Sequence, residues 1–73
     1  MSHYELWREK RSGEVWGVEV TNGKVEKVCG PVAEGDFTPD LVEYLPYRKG
    51  HEARELDSRR SEFTRDSVPK QAS

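Results

Sequence analysis

Apolar and polar positions alternate most regularly between Glu14 and Gly30, in the stretch EVWGVEVTNGKVEKVCG. Val18 and Val20 lead into Asn22-Gly23, and Val25 follows, which predicts two half-buried strands joined by a tight turn. A type I′ turn needs positive φ at both central residues, and Asn-Gly supplies it with little strain. The resulting register sets Val20 against Val25, Val18 against Lys27 and Trp16 against Cys29. Upstream, Ser12-Gly13 predicts a second turn that sets Trp7 against Val18 and Glu5 against Val20. The two registers agree on one face of a three-stranded antiparallel meander, built from Trp7, Trp16, Val18, Val20, Val25 and Cys29. A one-residue slip in either turn would scatter that set across both faces.

The opposite face is mixed, with Tyr4, Leu6, Arg8, Val15, Gly17, Glu19, Lys24, Glu26 and Val28. It reads as a solvated face, or as one where a cation or basic partner docks. Glu19 falls opposite Glu26 there, a like-charge pair costing up to ~1 kcal/mol, with Arg8 and Lys24 near enough diagonally to relieve it. Gly17, in mid-strand, is expected to mark a bulge, with a close approach to the backbone as the competing reading.

Past Cys29 the alternation stops. GPVAEGDF reads as a loop, and TPDLVEYLP as a short helix with Thr38 as N-cap and Pro39 and Asp40 in its first turn. A fourth strand over residues 39–45 competes, because Leu41, Glu43 and Leu45 alternate with Val42 and Tyr44. Residues 48–73 carry helical charge pairs, Arg48–Glu52, Glu55–Arg59, Asp57–Arg60 and Glu62–Arg65, over a narrow stripe of Ala53, Leu56 and Phe63. A helix polar almost all round is marginal alone. The expectation is a partly formed helix at about 50–64, ordered by a partner, and a frayed end from about Asp66.

The fold class expected is therefore α+β: a small three-stranded meander with one short helix on one face, then a polar, partly helical or disordered extension. The domain would span residues 1–47 and the extension residues 48–73. Composition sharpens this picture. Hydrophobic residues are 33% of the 73 and charged residues 36%, so the core is small and its stability marginal. One cysteine cannot make an internal disulfide, which leaves self-association, a homodimer foremost, as the remedy. Residues 1–47 carry five Lys/Arg and nine Asp/Glu, whereas residues 48–73 carry seven and five. An acidic body is thus joined to a mildly basic extension.

Candidate chemistry is sparse. Cys29 falls on the core face, where thiols are inert. His3 and His51 have no metal-ligand spacing around them, and GPVAEG lacks the Lys-Ser/Thr of a phosphate loop. No cofactor, metal or catalytic set is expected. There is no apolar run long enough for a signal peptide or a membrane span, and a lone cysteine suits the cytoplasm. The function expected is a non-enzymatic protein-interaction module or assembly subunit, binding through the outer sheet face or edges and the extension. Arg8, Glu19, Glu26, Leu56, Arg59, Arg60 and Phe63 are the expected contact residues. The alternative is a small nucleic-acid-binding regulator that uses the basic extension, with Tyr44, Tyr47 and Phe63 available to stack on bases.

Overall fold

Asn22 and Gly23 both adopt positive φ, 53° and 80°, in the structure, a computed structural model that describes residues 2–68. They join β2 (Val15–Thr21) to β3 (Lys24–Cys29), with Val20 opposite Val25 as the turn requires. Beyond that pair the register shifts at a β-bulge. Glu26 is left without a partner, and Glu19 faces Lys27, their charged ends 3.6 Å apart. The bulge thus removes the like-charge pair that an unbroken ladder would impose. It also inverts the faces that follow. Val28 now lies opposite Val18 and joins the Trp7 face, whereas Cys29 lies opposite Gly17 on the other one. Cys29 is therefore not part of the core face assigned to it from the alternation.

β1 (Ser2–Glu9) pairs with β2 two residues away from the expected register, Trp7 opposite Trp16 and Glu5 opposite Val18. The connection is a four-residue loop, Lys10 to Gly13, closed by the Glu9 N–H on the Glu14 carbonyl (2.8 Å) and by Gly13, at φ 77°, donating to the Glu9 carbonyl (2.9 Å). A shift of two preserves which face each side chain takes, so the Trp7 face survives.

The sheet has four antiparallel strands, not three, in the order β3-β2-β1-β4. β4 (Phe63–Val68) comes from the stretch read as helix and frayed end, and it pairs along β1 with Phe63 opposite Glu9 and Val68 opposite Tyr4. Before it, α1 (His51–Ser58) lies against β3 and buries Ala53 and Leu56 on the Trp7 face. Phe63 reaches the same core from the strand, its ring 5.5 Å from that of Trp7. Residues 69–73, the rest of the expected frayed end, lie outside the described residues.

Residues 39–45 form neither the expected α-helix nor a strand. The Thr38 carbonyl accepts from both Leu41 and Val42, and a single 3-10 turn over Val42–Tyr44 follows before the chain extends at Leu45. This segment covers the second face of the sheet. Phe37 and Val42 pack there with Val15 and Val68, flanked by Tyr4, Leu6, Val32 and Leu45. The face read as solvated is thus largely a second small core. Gly17 is explained by it: a Cβ there would sit 2.8 Å from Cζ of Phe37 and 3.2 Å from the Cys29 sulfur. The close approach, not a bulge at Gly17 itself, demands the glycine.

Candidate partner-binding edge

Two strands end the sheet, and the chain treats them differently. Val28 of β3 exchanges both backbone hydrogen bonds with Arg48, 2.9 and 2.7 Å, which closes part of that edge. The outer edge of β4 has no such cover among the described residues. Its pairing phase follows from two bonds. Glu9 donates to Glu14 on the β2 side, and Lys10 donates to the Glu62 carbonyl on the β4 side (2.9 Å). Alternation then turns the backbone groups of Thr64, Asp66 and Val68 inward to β1, and those of Phe63, Arg65 and Ser67 outward.

Beside this edge, on the second face, is a groove of about 410 Å³. Leu6, Phe37, Pro39 and Val68 supply its apolar walls, and Arg8, Glu34 and Asp66 its charged lining. Arg8 and Glu34 form an ion pair across the sheet and the covering segment. Asp66 takes part in none of the ion pairs among the described residues. On the Trp7 face, the Arg65 guanidinium lies 5.8 Å from the Trp7 ring centre.

The expected contact residues fall in separate places. Arg8 lines the groove. Glu19 is turned to Lys27, and its carboxylate together with burial raises the Tyr4 hydroxyl above its ordinary range, burial contributing most. Glu26 is the bulge residue and reaches toward Lys49 at 3.9 Å. Leu56 and Phe63, at 5% and 4% exposure, fill the core and present almost no surface to a partner. Arg59 ties the end of α1 to the sheet through Glu9 (2.5 Å) and also holds Glu62 (2.8 Å). Hydrogen bonds from Ser12 and then Arg59 hold the Glu9 carboxyl below its ordinary range. Arg60 pairs with Asp57 and donates to the Gly23 carbonyl at 3.1 Å. Arg48 pairs with Glu52, so four cations of the extension, Arg48, Lys49, Arg59 and Arg60, already face carboxylates.

Arg65, Asp66 and Ser67, which lie on the open strand β4, were not among the expected contact residues. The one available signal was the FTRDSV stretch itself, apolar at both ends and polar between, as edge strands often are. Nearby charges at helical spacing masked it.

Cys29 is fully buried, and burial pushes its thiol up. The Tyr47 hydroxyl is likewise raised by burial, and it donates to the Val42 carbonyl at 2.6 Å. His3 contacts Glu5 and His51 contacts Glu55, each within its own element. No group of three His, Cys, Asp or Glu among the described residues could hold a metal ion. No helix among them is long and apolar enough to cross a membrane. Comparison with family models, with curated proteins and with solved structures finds no match.

Proposed function

We propose that this protein is a non-enzymatic interaction module that takes an extended partner segment as a fifth strand on β4. The observation that carries this reading is the outward-facing backbone of Phe63, Arg65 and Ser67 beside a groove ready for alternate side chains. Main-chain pairing supplies affinity in such a mode, and the groove supplies selectivity. The alternative, a nucleic-acid regulator, draws less support because Arg48, Arg59 and Arg60 are spent on internal carboxylates. The cytoplasm is proposed as the address, since a lone thiol there needs no disulfide partner.

The test is selection from a displayed library of random ten-residue segments, followed by amide NMR mapping. Selected segments are expected to shift Phe63–Val68 and to lose binding to Ser67→Pro. That substitution deletes an outward N–H and leaves the ladder to β1 intact. Segments that map elsewhere, or that bind Ser67→Pro unchanged, refute the reading.

A further inference from the structure

The charges on β4 narrow what can pair with it, and this inference rests on the strand-addition reading above. We propose that the occupant is a strand of a different chain, running antiparallel to β4, with a lysine or arginine opposite Asp66 and an acidic residue directly after it opposite Arg65.

A second copy of β4 is a poor occupant. Outward residues must oppose outward residues for the backbone bonds to form. An antiparallel pair of copies centred on Thr64 sets Asp66 against Glu62 on both sides of the axis. Centred on Arg65 it sets Arg65 against itself, and centred on Asp66 it sets Asp66 against itself. Like charges directly opposite are destabilising. In the three registers that overlap most of the strand, the edge is thereby guarded against its own kind, a common need of open strands.

The same charges invite a foreign strand. Asp66 and Leu6 are cross-strand partners on the groove face, so a residue opposite Asp66 projects over that groove. Leu6, Phe37 and Pro39 offer apolar wall for the methylene stem of a lysine or arginine, and Asp66 meets its charged head. The neighbouring residue falls on the other face beside Arg65. Because the strands run oppositely, the basic residue precedes the acidic one in the partner.

The experiment uses two hairpin-constrained peptides that share one composition. One carries Thr-Val-Arg-Glu-Val-Thr in its free strand, and the other has the central pair exchanged to Glu-Arg. The Arg-Glu peptide is expected to shift the amides of Phe63–Val68, to protect Arg65 and Ser67 from exchange, and to bind about tenfold more tightly than its exchanged twin. The double variant Arg65→Glu/Asp66→Arg, altered at two surface side chains, is expected to reverse that preference. Equal binding of both peptides at this edge overturns the charge rule while leaving strand addition in place. Binding of neither overturns both. Sedimentation showing a dimer that is broken by Ser67→Pro also overturns the inference, because a second copy then fills the edge.

Discussion

Gly17 shows how one missing side chain can decide a local arrangement. The Phe37 ring occupies the space that a Cβ would need, and Phe37 anchors the segment that covers the second face. Gly17→Ala should cost about 1–3 kcal/mol, as overpacking does, and chemical denaturation would measure it. A loss below a few tenths would mean that the covering segment is loosely held. At the same scale, Glu9 links the loop to α1 through Ser12 and Arg59. Its folded carboxyl titrates below the ordinary 4.5, so its contribution is present above that value and is lost as pH falls through the lower folded one. Glu9→Gln should therefore lose less of its stability than the parent chain does on acidification from pH 4.5 downward. Parallel acid-unfolding curves for the two proteins would contradict this.

At the scale of elements, the contrast between α1 and β4 matters most. Their sequences look alike, both rich in charge and poor in apolar residues. Of the expected helical charge pairs, Arg48–Glu52 and Asp57–Arg60 form, with Arg48 just before α1 and Arg60 just after it. Glu55–Arg59 and Glu62–Arg65 do not form among the described residues: Glu55 meets His51, Arg59 takes Glu9 and Glu62, and the chain becomes extended at Phe63. A strand of six residues with only its ends apolar carries almost no period-2 signal. Its place is decided by the vacancy beside β1 and by the Trp7 ring that Phe63 covers. Leu56→Ala should accordingly cost about 2–5 kcal/mol, read from thermal or denaturant unfolding. A surface-like cost under 0.5 kcal/mol would place α1 off the core.

Taken whole, the chain makes three layers from few apolar residues by using both faces of one sheet. α1 covers the Trp7 face, and the segment before it covers the Phe37 face. The acidic body and basic extension are joined by Arg59–Glu9 and Lys49–Glu26. A chain cut to residues 1–47 would lose α1, the β4 cover of Trp7 and those pairs together. Such a fragment should show the collapsed amide dispersion of an unfolded chain, since a meander with one uncovered face has too little core. A dispersed, native-like spectrum would refute that expectation.

Much of this was legible in residue order. Asn22-Gly23 specified its turn because few residues tolerate positive φ, and period-2 spacing put Trp7, Val18, Val20 and Val25 on one face without any knowledge of partners. Those are local properties, set by backbone sterics and side-chain direction within a few residues. The bulge at Glu26, the strand character of Phe63–Val68 and the covering role of Phe37 were not legible. Each involves a partner across the sheet or in another segment: Glu19 for the bulge, β1 for the strand and Gly17 for Phe37. The candidate site depended on the same long-range contacts. Arg8 was among the expected contact residues and lines the groove, but Arg65, Asp66 and Ser67 became an edge only once β4 was placed beside β1. The Asn22-Gly23 turn and the facing of Trp7, Val18, Val20 and Val25 are intrinsic to the sequence, whereas which strand is left open among the described residues is a property of the closed packing alone.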